Sequence, residues 1–226
     1  MRKARLALLF VLLLTACERI EETPSEFPGP EYFPLQKGAF IIYKVDSTRI
    51  IQNVETNFLF ELRVSVVDSF VNGEGNTTYI LQREKRTNSS SPWKLAGTWS
   101  AWKSVSKAVL TEGNESFVKL QFPLAEGKSW DGNALNSLKG FDRCDGNDCD
   151  EYVITALEPE LTVTLGSDTD ILVRQDVRVE KYVRNVGLVY KESTVLEYCT
   201  AGACFGKQFV DSGVKYKQEM ISSGTL

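Results

Sequence analysis

Histidine is absent from the 226 residues. That removes His-based catalytic triads, imidazole metal ligands and the side chain best suited to moving protons near neutral pH. A basic run is missing as well, and the formal charge is −4 at pH 7. Nucleic acid is therefore excluded as a partner, and so is binding driven by anionic headgroups, since both need concentrated Lys and Arg. No Cys-x-x-Cys pair occurs, which argues against a zinc knuckle or a thioredoxin-like redox site. Three segments fit Ser-x-x-Lys, at Ser91–Lys94, Ser100–Lys103 and Ser104–Lys107. Three matches so close together describe a Ser/Lys-rich stretch, and the Lys-Thr-Gly partner motif of penicillin-recognising enzymes is lacking. No cofactor motif is present.

What is there begins at the N-terminus. Arg2, Lys3 and Arg5 precede an unbroken apolar run from Leu6 to Leu14, followed by Thr15, Ala16 and Cys17. This is the order of a secretory signal, too short to be read as a membrane span. The ending Leu14-Thr15-Ala16-Cys17 resembles the lipobox of bacterial lipoproteins. That resemblance implies cleavage after residue 16, acylation of Cys17 and anchoring in membrane lipid through several chains, which together hold a protein on a bilayer. Glu18, in place of aspartate after the cysteine, resembles the routing signal toward the outer membrane in Gram-negative lipoproteins.

Four cysteines remain beyond Cys17: Cys144, Cys149, Cys199 and Cys204, in the stretches CDGNDC and CTAGAC. An exported chain meets an oxidising compartment, so disulfides are the expected state. Sequence permits three connectivities. The local ones, Cys144 to Cys149 and Cys199 to Cys204, are favoured because both intervals hold small residues that can fold back on themselves. Asp142, Asp145, Asp148, Asp150 and Glu151 crowd the first pair, but their spacing does not fit an EF-hand, and a solvated acidic loop is the expectation, with no metal ligands assigned.

Residues 17–33 are acidic and rich in proline, which predicts a stiff tether without a core of its own. From residue 34 to 226, two-residue alternation takes over. Phe58, Phe60, Leu62, Val64 and Val66 alternate with polar residues, and similar runs cover 40–51, 77–84, 116–122, 151–157, 160–165, 171–183, 187–198 and 207–221. Short gaps with Gly, Asn or Asp separate most of them, so antiparallel meanders are predicted over parallel crossovers. The stretch around Trp99, Trp102, Val105 and Val109 fits a strand better than a helix, because caps are absent. A short echo, FPLQKG at 33–38 and FPLAEG at 122–127, reads either as one turn solution used twice or as a duplicated half-sheet. The expected fold is all-β, a single antiparallel domain shaped as a half-barrel or barrel after the signal and tether.

The patches YFPLQKGAFIIYKVDS, FPLAEGKSWDGNALN and YVRNVGLVYKE resemble a group of uncharacterised Gram-negative lipoproteins that carry F/Y-P-L-x-x-G-x-x-W and a late G-L-V-x-K-E strand. Trp130 fits the pattern, whereas Ile41 stands where its first copy would have Trp. The resemblance implies fold and location. The architecture also resembles the half-barrels of lipoprotein carriers, whose concave face holds acyl chains. Two functions follow as expectations. The first is a noncatalytic outer-membrane lipoprotein whose β domain binds an apolar ligand or an envelope protein, Trp93, Trp99, Trp102 and Trp130 being either core or groove lining. The second is a carboxylate-based hydrolase, glycosidase-like, acting on envelope polymers, which requires two inward carboxylates across a cleft. An apolar concavity of several hundred Å3 would favour ligand binding, and a filled interior a scaffold.

Overall fold

The computed structural model describes residues 29–168 and 172–226. The expected signal segment, Cys17 and most of the expected tether lie outside the described residues. Among the described residues fourteen strands follow one another: β1 Ala39–Ile51, β2 Val54–Val71, β3 Thr77–Arg86, β4 Lys94–Lys103, β5 Lys107–Glu112, β6 Glu115–Gln121, β7 Ser129–Asp131, β8 Asp142–Cys144, β9 Asn147–Cys149, β10 Glu151–Ala156, β11 Leu161–Asp168, β12 Arg174–Val183, β13 Gly187–Tyr198 and β14 Val210–Thr225. No α-helix occurs among the described residues.

Twelve strands form one antiparallel sheet in the order β6-β5-β4-β3-β2-β1-β14-β13-β12-β11-β10-β7, and β8 pairs with β9 in a separate hairpin. Every neighbour in the large sheet is a chain neighbour except β1 with β14 and β10 with β7. Such a meander needs only tight turns, as the Gly- and Asn-rich gaps provide. Between β1 and β2 the turn is two residues, Gln52 and Asn53, both at positive φ (48° and 61°), the geometry that matches strand twist.

The sheet curls until its edges nearly meet. The Val118 amide of β6 donates to the Gly132 carbonyl just beyond β7 at 2.9 Å, and Trp130 Nε1 donates to the Val118 carbonyl at 2.8 Å. The result is a nearly closed barrel, which leaves few unpaired edges. Its two halves have six strands each, β1–β6 and β7 with β10–β14, and each half is preceded by one copy of the FPLxxG motif. Gly38 and Gly127, the last residues of the two copies, both sit at positive φ (90° and 78°), where a side chain would be strained.

The folded body starts before the boundary expected at residue 34. Pro30–Tyr32 form a 3-10 turn, Tyr32 is buried, and Phe33 packs on the core. Lys103 Nζ donates to the carbonyls of Pro30 (2.9 Å) and Phe33 (3.1 Å), and the Asn185 amide donates to Glu31 O at 2.8 Å. The prolines of this stretch suggested a tether, but its aromatic pair has apolar surface to bury and a lysine to satisfy its carbonyls.

The largest core cluster joins β5, β6, β7, β10, β11 and β12 around Val109, Leu120, Trp130, Ile154, Leu161 and Val163. Smaller clusters form around Tyr43, Val45 and Leu62, and around Val66, Leu81 and Ala101.

Candidate functional site

The interior is filled at one side and open at the other. Where β1–β5 and β12–β14 face one another, a cavity of about 640 Å3 remains. Strand alternation decides what lines it. Ile41 and Tyr43 on β1, Leu62, Val64 and Val66 on β2, and Leu81 and Arg83 on β3 take every second position and share the inner face. The segment Phe33–Gln36 and residues Asn185–Leu188, which run from the β12–β13 turn into β13, also border the cavity. The walls are mainly apolar, and the polar groups cluster.

Glu180 on β12 is the centre of the first polar cluster and is only 2% exposed. One oxygen accepts from Lys119 Nζ at 2.7 Å and lies 3.4 Å from Lys191 Nζ, while the other accepts from the Tyr182 hydroxyl at 2.6 Å. Burial opposes the charge on this carboxyl. The ammonium groups of Lys119 and Lys191, with the hydrogen bonds from Lys119 and Tyr182, outweigh that and hold its pKa down at about 2. Burial and the Glu180 charge push the Tyr182 phenol well up, and burial does the same to Tyr43, whose hydroxyl donates to the Leu188 carbonyl at 2.9 Å. These shifts all move away from neutrality, so Glu180 stays ionised and the two phenols stay protonated.

Arg83 is the second polar feature. Its guanidinium lies over the Trp99 ring, 3.5 Å from the centroid. Of the half-buried arginines, Arg63, Arg86, Arg174 and Arg178 each pair with a carboxylate. Arg83 has no ion pair among the described residues, and its buried Nε has no hydrogen-bond partner. Burial lowers its pKa, opposed by the nearby Tyr216, Glu112 and Tyr43. An arginine remains charged through such a shift.

The four tryptophans divide. Trp99 lines the cavity. Trp130 is core, packed edge-on against Tyr152, and Trp102 packs against the same core cluster. Trp93 lies near the guanidinia of Arg63 and Arg86, 4.8 and 4.3 Å from its ring centroid, beside the cross-strand pairs Arg63–Glu84 and Arg86–Glu61.

The cysteines are joined locally, Cys144 to Cys149 and Cys199 to Cys204, with Cα atoms 5.7 and 5.9 Å apart. None of these cysteines lines the cavity. The carboxylates around the first pair take separate partners: Asp142 accepts from the Glu151 amide, Asp148 pairs with Arg143, and Asp150 pairs with Arg178. Among the described residues no group of three or more Cys, Asp or Glu is arranged to hold a metal ion. The Ser-x-x-Lys serines do not line the cavity, and Lys103 is engaged by backbone carbonyls.

Sequence reasoning did not single out Arg83, Lys119, Glu180 or Lys191. The available signal was a charged residue on the apolar phase of a strand, as Arg83 follows Tyr79 and Leu81 at two-residue steps.

No protein-family model matches the chain, and no curated protein matches it. Among solved structures it is similar to a presumed exported protein with a YmcC-like fold from Bacteroides fragilis NCTC 9343, at 13% identity and a TM-score of 0.40. The similarity covers 85% of this chain and 98% of that one.

Proposed function

We propose that the protein is an envelope lipoprotein anchored in the outer membrane through acylated Cys17, and that its β domain is a noncatalytic module that binds an apolar or amphiphilic ligand. The observation that carries this reading is the cavity of about 640 Å3 with mainly apolar walls. Ligand sites of small molecules fall in the range of about 300–1,000 Å3 and combine apolar walls with a few placed polar groups. A scaffold role would require no such space. The sequence order from Arg2 to Cys17 supports the anchor.

The hydrolase reading needs one carboxylic acid with a raised pKa and a second carboxylate across a cleft. Glu180 and Glu112 both line the cavity. Both oxygens of Glu180, however, are engaged, one by Lys119 and Lys191 and the other by the Tyr182 hydroxyl, which leaves neither free to attack a substrate or to protonate a leaving group. The noncatalytic reading is favoured on that ground.

Two measurements test the proposal. Radiolabelled palmitate should enter the wild-type chain and not a Cys17→Ser variant; equal labelling of both removes the anchor. The full chain purified from membranes should release an apolar molecule on organic extraction, and its emptied form should enhance the fluorescence of N-phenyl-1-naphthylamine. Neither release nor probe binding would sink the ligand-binding function.

A further inference from the structure

Resting on that ligand-binding reading, we propose that the ligand is an anionic amphiphile, with its tail along the apolar wall of β1–β3 and its single negatively charged head on Arg83. Three observations converge. Arg83 is the one half-buried arginine without a carboxylate partner among the described residues, and its Nε lacks any hydrogen bond. A guanidinium left so is costly unless something supplies oxygen acceptors. Second, the stack on Trp99 fixes the plane of the guanidinium, so its fork is preorganised for bidentate contact with a carboxylate or phosphate.

Third, the charge of the lining is unbalanced. Lys119, Lys191 and Arg83 face Glu180 and Glu112. The two lysines already share Glu180, at 2.7 and 3.4 Å, and Glu112 is near Arg83 without forming an ion pair with it. A ligand with one negative charge restores neutrality. The apolar residues Ile41, Val64, Val66 and Leu81 lie on the same and adjoining inner-face positions, and Val64 is the direct cross-strand partner of Arg83. A head on Arg83 therefore places a tail against them. The free carboxylate of a fatty acid carries one such charge, and the phosphate of a single-chain lipid carries one as a diester and up to two as a monoester, with the same oxygen acceptors.

Displacement of N-phenyl-1-naphthylamine from the full chain carrying Cys17→Ser, in detergent-free buffer, separates the possibilities. Dodecanoate, dodecyl phosphate and dodecan-1-ol are compared, the alcohol matching the tail without the charge. At least one anion should bind about ten-fold or more tighter than the alcohol. The stronger anion identifies the head. R83Q should abolish the preference by lowering the affinity for the anion to about that for dodecan-1-ol, as expected for loss of one charge-assisted contact. E112Q, which removes the nearby negative charge, should strengthen anion binding several-fold. If R83Q does not fold, E112Q decides: an unchanged preference overturns the assignment. Equal binding of acid and alcohol, or an anion preference that survives R83Q, also overturns it while ligand binding itself stands. A wild-type chain that binds neither probe nor amphiphile removes both.

Discussion

The two sides of the barrel are built from the same sheet with the same alternation, yet one is packed and the other holds open space. At the packed side β5, β6, β10 and β11 bury Val109, Leu120, Ile154, Leu161 and Val163, all inaccessible to solvent and joined in one core cluster. Aliphatic side chains of this kind interdigitate to the density of an organic crystal. At the open side the inner faces of β3, β12, β13 and β14 carry Arg83, Glu180, Lys191, Tyr216 and Gln218. These groups cannot be pressed into apolar contact without losing hydrogen-bonding partners, and so the facing strands stay apart. The difference teaches that a barrel's cavity is set by the polarity of a few inward positions, while the backbone that surrounds it is common to both sides.

The sharpest way to break the contrast is at the boundary, where Glu180 serves both sides. E180Q leaves Lys119 buried without its counter-charge, and loss of one partner of a buried pair costs about 3–5 kcal/mol. Urea unfolding should show that loss. Acid reaches the same point without mutation. The folded pKa of Glu180 is about 2 against an ordinary value of 4.5, so its stabilising contribution is complete above about pH 4.5 and is lost as pH falls through about 2. By linkage that amounts to about 3 kcal/mol, and E180Q should flatten this part of the stability profile. A profile identical in wild type and variant would show that Glu180 does not carry it.

Next in size is a paired truncation. Leu161→Ala, at the packed side, should cost about 3–4 kcal/mol, because a fully buried leucine leaves a void that its neighbours close only in part. Leu110→Ala, at the cavity wall, should cost about 1–2 kcal/mol, because that side chain is half-buried and already borders open space. Equal losses would mean that the cavity wall is packed as tightly as the core.

Most strands were legible in the sequence because two-residue alternation is a direct consequence of the pleat. The run read at 187–198 is β13, Gly187–Tyr198, residue for residue. The all-β barrel and its antiparallel meander followed from that alternation and from short Gly- and Asn-bearing gaps. The face was harder to read. In β12 the buried members are Asp176, Glu180 and Tyr182, while Val177, Val179 and Val183 are half-buried, so a rule that sends valines inward selects the wrong side. What puts Asp176 and Glu180 inside is their partners, Arg178 for the first, Lys119 and Lys191 for the second. Lys119 is 61 positions away, and no local pattern announces it. Arg83 was hidden for the complementary reason. An unpaired arginine is recognised by the absence of a neighbour, which only three-dimensional placement reveals.

The smallest expected effect concerns the staple at Cys144–Cys149, which belongs to neither interior. It closes the β8–β9 hairpin, a two-stranded piece outside the twelve-stranded sheet, tied to it by the Asp142 carboxylate accepting from the Glu151 amide at 2.9 Å. A loop of this length contributes about 2 kcal/mol in the chain-entropy account. The hairpin adds little to either core: of its six residues only Cys149 is buried. C144S with C149S should therefore loosen the hairpin locally, raising protease cleavage between residues 138 and 149, and lower global stability by about 2 kcal/mol or less. Affinity for N-phenyl-1-naphthylamine should not change, because none of these residues lines the cavity. A loss of probe binding in this double variant would show that the hairpin governs access to the open side, and the division of the barrel into a packed side and an independent binding side would have to be redrawn.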